Sequence, residues 1–138
     1  MKLPTPVALD PVRQQLNALK LLEALPQPGP GEVALCLTHL DLFLPAFTFV
    51  FGASWLGERR SVLSYVRLQP QPLNIDVFHR RVLVEALHEL GHGLGLSHCP
   101  LAACPMHQSF HPEAVDLKDT DYCPSCWDKL ASQRFRTP

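Results

Sequence analysis

The residues best suited to catalysis lie in one short run, His88-Glu89-Leu90-Gly91-His92. On a helix, histidines four positions apart lie one turn above each other on one face, so both imidazoles can reach a single metal ion. Gly95 lets the helix stop and the chain turn back, which brings His98 toward the same ion. The pattern therefore predicts a catalytic zinc ion held by His88, His92 and His98.

Glu89 lies between the two helical histidines and is expected to act as a general base, not as a metal ligand. Three neutral imidazoles leave the fourth tetrahedral position for water, and zinc lowers the pKa of bound water from about 16 to about 7. A nearby carboxylate can take the proton of that water and pass it to a leaving amine while the metal polarises the carbonyl. This chemistry is suited to the hydrolysis of peptide bonds.

A second metal site is indicated by two close cysteine pairs: Cys99 with Cys104, and Cys123 with Cys126. Each pair can supply two thiolates, and four thiolates close a tetrahedral structural zinc site against water. Free core cysteines are one alternative, and a mixed site in which His98 joins the sulfurs is another. Because neighbouring side chains of an extended segment point to opposite sides, His98 and Cys99 can serve two different sites.

These spacings resemble those of a known family. The run from His88 to His98 carries the H-E-x-x-H-x-x-G-x-x-H signature of the metzincin zinc metalloproteases, and its continuation from Cys99 to Cys126, with Met106, resembles the archaemetzincin subgroup. The segment from about 35 to 67 resembles the sheet of that family more loosely. The resemblance implies a compact α/β fold with a twisted mixed sheet beneath the active-site helix and a methionine turn at Met106. It also implies a C-terminal helical subdomain braced by zinc, and two zinc ions per chain.

The elements that position these groups can be predicted from the pattern of apolar residues. From Pro11 to Leu25 such residues recur at helical spacing, with Asp10 as a candidate cap, which predicts an amphipathic helix. Strands are predicted where β-branched and aromatic residues are concentrated: Val33–Thr38, Phe47–Phe51 and Ser61–Arg67. Cys36 lies in the first of these strands and is expected to be a buried core residue, not a ligand.

A second helical pattern begins at Asp76 and carries the catalytic run. Its apolar stripe consists of Leu83, Leu87, Leu90 and Leu94. After Gly95 the periodicity is lost until a short closing helix at 127–134, whose predicted inner face is Trp127, Leu130 and Ala131. We expect metal ligands to replace a conventional core in this part. The prediction is a single domain over 1–138, with a strand and helix part to about 95 and a zinc-rich part from about 96.

Composition limits the other function classes. The 138 residues are 46% apolar and 18% charged, enough for one ordinary hydrophobic core. The formal charge of −1, without a Lys/Arg-rich block, gives no reason to expect nucleic acid or an anionic membrane as a partner. A continuous apolar signal sequence and an apolar run of ~18 residues are both lacking, so a soluble, cytoplasmic protein is expected. The oligomeric state is not indicated.

Two other functions compete with hydrolysis. One is a catalytically weak zinc-containing module that binds an extended peptide along a strand such as 48–51. Glu89 counts against it, because a pure binder has no evident need for a carboxylate between two ligands. The other is an adaptor of zinc-finger type, but Lys118 is the only Lys or Arg between Cys104 and Cys123, whereas a DNA reader needs a basic face. The expected partner is therefore a peptide or protein substrate.

Overall fold

The computed structural model describes the backbone of residues 8–134. Within this range the strands are β1 (Leu9–Asp10), β2 (Gln15–Asn17), β3 (Ala34–Thr38), β4 (Leu42–Phe43), β5 (Gly52–Ser54) and β6 (Arg60–Ser64). The α-helices are α1 (Ala18–Ala24), α2 (Ile75–Gly93), α3 (Pro112–Val115) and α4 (Pro124–Arg134), and a 3-10 turn covers Val66–Leu68. Among the described residues, no helix has the length and apolar character needed to cross a bilayer.

The strands form two small mixed sheets, and one of them supports the long helix α2. In one sheet β6 is central, pairing in parallel with β3 and antiparallel with β5. In the other sheet β2 is central, pairing antiparallel with β1 and in parallel with β4. Helix α2 packs on β5 and β6. The α/β fold with a mixed sheet beneath the active-site helix, implied by the sequence resemblance, is therefore confirmed.

The central strand β6 separates two apolar clusters. Val62, which is fully buried, packs with residues of α1, whereas its neighbour Leu63 packs with Val84 of α2. Successive side chains of a strand point to opposite faces, so the two helices cover opposite sides of this sheet. Cys36 on β3 is 5% exposed and belongs to the α1 side. Its predicted place as a buried strand residue is confirmed.

The predicted helix from Pro11 to Leu25 is wrong in its first half. The Asp10 carboxylate accepts hydrogen bonds from the N–H groups of Val12 and Arg13, each at 2.9 Å, and so closes a turn instead of capping a helix. Strand β2 follows, and its backbone pairs with β1 and β4. The helix begins only after Asn17, whose side chain caps it by accepting from the N–H of Leu19 at 3.0 Å.

Two of the three predicted strands are confirmed as β3 and β6, although β6 ends at Ser64 and the predicted residues 65–67 belong to the 3-10 turn and its cap. The strand predicted at Phe47–Phe51 is wrong. In that segment Val50 forms a single bridge to Leu42, and the strand of this region is β5, which begins at Gly52. A Cβ at Gly52 would lie 2.6 Å from the Val62 carbonyl oxygen and 2.7 Å from Glu89 Cγ. Only glycine therefore fits where β5, paired with β6, meets α2, and the bulky aromatic residues lie outside the sheet.

The helix carrying the catalytic run is confirmed, whereas its leucine stripe does not form the buried face. Helix α2 begins after Asn74, whose side chain accepts from the N–H groups of the first turn. Leu83 and Leu94 are 48% and 38% exposed. The buried face is made instead largely of polar residues: Arg81, Val84, Glu85, His88 and Glu89. This helix buries its functional groups and turns part of its apolar surface outward.

The closing helix α4 also differs in its inner face. Cys126 is 1% exposed and Leu130 packs against the same cluster, but Trp127 is 49% exposed and Ala131 is exposed. The indole N–H of Trp127 donates to the Asp121 carboxylate at 3.0 Å. The helix therefore turns Cys126 and Leu130 toward the interior, and the prediction that Trp127 and Ala131 face inward is wrong.

Candidate active site

Three histidines converge at the C-terminal end of α2. Ligand nitrogens of His88, His92 and His98 lie within 4.8 Å of one another. Gly95 adopts a φ of +102°, a conformation that favours glycine. The N–H of Leu96 then donates to the Gly91 carbonyl at 2.8 Å, which ends the helix and reverses the chain toward His98. The three side chains that the sequence grouped therefore meet at one point.

Backbone carbonyls fix the proton positions of two of these rings. Nδ1 of His88 donates to the Pro105 carbonyl, and Nδ1 of His92 donates to the Leu96 carbonyl, both at 2.7 Å. A carbonyl can only accept, so each Nδ1 carries the proton and each Nε2 presents a lone pair. Burial lowers the pKa of His88 to about 3 and also lowers the pKa of His92. Both rings are therefore neutral at pH 7.

The two Nε2 atoms face each other at 3.1 Å. Because both are acceptors, neither can satisfy the other, and a cation between them would pair with both lone pairs. Neutral imidazoles whose second nitrogen donates to a backbone carbonyl are a donor set that zinc favours. The chemistry of the three histidines thus fits a zinc ion.

Glu89 lies beside the histidines, and two serines define its position. Its side chain accepts a hydrogen bond from Ser54 Oγ at 2.7 Å, while Ser61 Oγ donates to its backbone carbonyl at 2.9 Å. Burial raises the pKa of Glu89 to about 8. The hydrogen bond from Ser54 opposes this shift, and a zinc ion on the adjacent histidines would favour the carboxylate further, as a general base requires. Ser54 and Ser61 were not singled out from the sequence, because they reach Glu89 only through the packing of the sheet on α2.

A cleft of about 470 Å³ opens in front of Glu89 and the three histidines. Its walls are mainly apolar and come from the loop before β5 and from the segment after Met106: Leu44, Phe47, Phe49, Val50, Phe51 and Phe110. Phe47 and Phe110 are 45% and 65% exposed. A concave apolar cleft with a few polar groups at one side is the usual form of a ligand site.

The four cysteines form a separate cluster. Sγ of Cys99 is 3.8 Å from Sγ of Cys123, and Sγ of Cys104 is 3.8 Å from Sγ of Cys126. These thiols are free, since a disulfide requires about 2.05 Å. A zinc–sulfur bond of about 2.3 Å gives a tetrahedron with edges of about 3.8 Å, so the spacing fits zinc. His98 groups with the other histidines and not with the sulfurs.

Met106 packs directly beneath the active-site helix. It is fully buried, and a Cβ at Gly91 would overlap its sulfur. The Met106 carbonyl accepts from the N–H of Cys99 at 3.0 Å, which joins this turn to the segment carrying the last histidine. The methionine turn implied by the resemblance therefore lies below the histidines, and Met106 packs against α2 at Gly91, between His88 and His92.

Two further charged residues adjoin the site and were not predicted from the sequence. Lys118 is 1% exposed and Glu85 is 3% exposed, and they form an ion pair with an N–O distance of 3.7 Å. Glu85 lines the cleft, one turn before His88 on α2. Burial raises the pKa of Glu85 to about 7, although Lys118 opposes the shift. Neither residue has a local spacing that would have indicated this role.

The sequence profile of Peptidase family M54 matches residues 30–132 of this chain. The archaemetzincin of Methanocaldococcus jannaschii is 40% identical over 122 residues, which cover 86% of this chain and 67% of that protein. The archaemetzincin of Thermococcus kodakarensis is 38% identical over 130 residues, covering 89% of this chain and 70% of that protein.

Solved structures are similar over a comparable range. The crystal structure of archaemetzincin from Methanopyrus kandleri superposes with a TM-score of 0.89 at 37% identity, covering 98% of this chain and 74% of that chain. The archaemetzincin of Archaeoglobus fulgidus superposes with a TM-score of 0.82 at 36% identity, covering 89% of this chain and 74% of that chain.

Proposed function

Because this chain belongs to Peptidase family M54, the archaemetzincins, and so to a family of zinc metallopeptidases, we propose that it hydrolyses peptide bonds with Glu89 as general base. His88, His92 and His98 are the proposed ligands of the catalytic zinc. The observation that carries the proposal is the pair of lone-pair nitrogens of His88 and His92, facing each other at 3.1 Å beside the buried carboxyl group of Glu89.

The histidines, Glu89 and Ser54 have different roles in the proposed hydrolysis. A zinc ion on the three histidines would supply a Lewis acid that acidifies water and polarises a carbonyl. Glu89 takes a proton from the attacking water and delivers it to the leaving amine. Ser54 donates to the Glu89 carboxylate at 2.7 Å and limits its rotation. The remaining carboxylate oxygen is then free to face the cleft.

We assign a second, structural zinc to the four cysteines. All four are buried, and their sulfurs leave no position for water around a tetrahedral ion. The backbone N–H of Cys126 lowers the pKa of Cys123, whereas burial raises the pKa of Cys99 and of Cys126. A zinc ion bound to these sulfurs would deprotonate all four thiols. The third histidine, the glycine at position 95 and Met106 beneath the helix support assignment of the catalytic centre to the metzincin class.

The cleft favours an extended peptide with a large apolar side chain next to the scissile bond. Its exposed aromatic residues, Phe47 and Phe110, lie on two different segments that border the cleft. Aromatic rings bury a large apolar area when a side chain packs between them. A net charge of −1 spread over the chain adds no long-range preference for basic or acidic substrates.

Glu89→Gln tests the proposal directly, because glutamine keeps the shape and the acceptor for Ser54 but cannot take a proton. Loss of a general base typically costs 10²–10⁴-fold, about 3 to 5 kcal/mol of barrier, and should appear in kcat with KM little changed. Elemental analysis should give two zinc ions per chain in both proteins. Glu23→Gln, which changes an exposed carboxylate on α1, is the matched control and should behave as the parent.

Three results would count against the proposal, each in a different way. Parental kcat in Glu89→Gln would mean that another group is the base. One zinc per chain would remove one of the two assigned sites. If zinc-loaded parent binds library peptides but releases no product, the chain is a zinc-containing peptide-binding module instead of an enzyme.

A further inference from the structure

Lys118 is a buried cation beside the candidate zinc site. It follows helix α3, is 1% exposed, and is the largest fully buried side chain among the residues that the structure describes. Taking an ammonium out of water costs several kcal/mol unless its three N–H donors find partners. A lysine in such a position therefore has to be explained by what it binds.

The ammonium group of Lys118 is held by two backbone carbonyls and by one carboxylate. Nζ donates to the Pro105 carbonyl at 3.1 Å and to the His107 carbonyl, and it forms the ion pair with Glu85 at 3.7 Å. The two carbonyls lie on either side of Met106 in the chain. The ammonium thus fixes the turn below the active-site helix at both ends, and Glu85 joins it to the helix itself.

The Pro105 carbonyl links this lysine to a proposed zinc ligand. It accepts both from Nζ of Lys118 and from Nδ1 of His88, the latter at 2.7 Å. A carbonyl oxygen has two lone pairs, so these two donors saturate it and define its direction. The bond from His88 Nδ1 in turn sets the plane of the imidazole and the direction of Nε2.

We infer that Lys118 is a positioning residue for the metal site: it holds the Pro105 carbonyl where His88 must donate, and so keeps Nε2 of His88 directed at the ion. The inference rests on the proposed function, in which His88 is a ligand. Space filling alone does not explain the lysine, because an apolar side chain of similar volume would fill the same space without the cost of desolvation.

The test compares metal binding with folding. Lys118→Met keeps the volume and removes the donors. Glu85→Gln/Lys118→Met also removes the carboxylate that the first change leaves without its partner. Lys129→Met on α4, an exposed lysine, is the matched control. Each protein is loaded with Zn²⁺, and the affinity of the histidine site is measured by chelator competition. The histidine site is then loaded with Co²⁺ for its visible absorption spectrum.

We expect the histidine site of both Lys118 variants to bind zinc 10–100-fold more weakly than the parent, the range seen when a partner of a metal-bound histidine is removed. The cobalt spectrum should change, the cysteine site should keep its zinc, and the control should match the parent. A lower kcat at unchanged KM should accompany these changes. Unaltered zinc affinity and an unaltered cobalt spectrum would overturn the inference, whatever the melting temperature.

The remaining outcomes are also decisive. If neither Lys118 variant folds, Lys118 is a determinant of folding and its role as a positioning residue is rejected. If the parent binds no metal at the histidines, or binds it and cleaves nothing, the proposed function fails independently of Lys118. Because affinity and spectrum are read without substrate, the two failures can be told apart.

Discussion

Gly91→Ala perturbs the contact between the active-site helix and the turn below it. A Cβ at this position would overlap Met106 Sδ and lie 3.1 Å from Met106 Cε and 3.3 Å from Tyr122 Oη. Met106 is fully buried, and the Tyr122 hydroxyl donates to the Leu87 carbonyl at 2.6 Å. Neither side chain can therefore move aside without losing a contact or a hydrogen bond.

Two effects of this substitution have opposite signs. Alanine in place of glycine within a helix favours folding by about 1 kcal/mol. Inserting a methyl group into a packed interior costs about 1–3 kcal/mol. Since the overlap is with a fully buried group, we expect the second effect to prevail by about 1 kcal/mol. For a chain of this length that loss lowers the melting temperature by about 3–5 °C.

Urea and thermal unfolding of the zinc-loaded protein measure the effect, and a double-mutant cycle identifies its cause. In a Met106→Ala background the overlap is absent, so Gly91→Ala should there stabilise the protein by about 1 kcal/mol through helix propensity alone. A change of sign between the two backgrounds is the expected result. Equal effects in both backgrounds, or a parent no more stable than Gly91→Ala, would refute the reasoning.

Two further predictions concern the cysteine site and an ion pair of α2. Cys123→Ser should lower the melting temperature more than His98→Ala does, because the zinc proposed for the cysteines would replace core for the last forty residues or so. Equal melting temperatures would contradict this. Hydrogen bonds from buried Arg81 lower the pKa of Asp116 below its usual 3.8. The ion pair therefore stabilises the fold above about pH 4, and this stabilisation is lost as the pH falls through the lowered pKa. Urea midpoints of Asp116→Asn and the parent should therefore differ at pH 7 and converge in acid, whereas a gap independent of pH would exclude the pair as the cause.

Local spacing was sufficient to predict which side chains of the site come together. His88 and His92 are placed by one helical turn, and His98 is placed by the glycine that ends the helix. The four cysteines are grouped by two short-range pairs, each of which needs only a tight turn. That these clusters bind zinc, and that Glu89 is the base, remain predictions. Helix α2 and strands β3 and β6 are also predicted from local patterns, which are the helical spacing of apolar residues in α2 and the concentration of strand-forming residues in β3 and β6.

What sequence patterns missed depends on partners that are distant in the chain. Leu16 lies in a run of apolar residues at helical spacing. Its backbone N–H nevertheless donates to the Asp41 carbonyl at 2.8 Å, and the segment forms a strand. The aromatic residues at 47–51 have strong strand propensity, but they line the cleft and lie outside the sheet. Ser54 and Lys118 contribute through contacts with residues more than ten positions away, which periodicity does not record.

The adjacency of His98 and Cys99 has a consequence for how the two proposed zinc sites would fill. One peptide bond joins ligands proposed for different ions, so zinc on the sulfurs lowers the entropy that His98 must lose to join the histidine site. By thermodynamic linkage, occupancy of either site then raises the affinity of the other by the same factor. Zinc titration of the histidine site with and without Cys123→Ser would reveal this cooperativity, and equal affinities would exclude it. A protein coupled in this way responds more steeply to a fall in available zinc than two independent sites would.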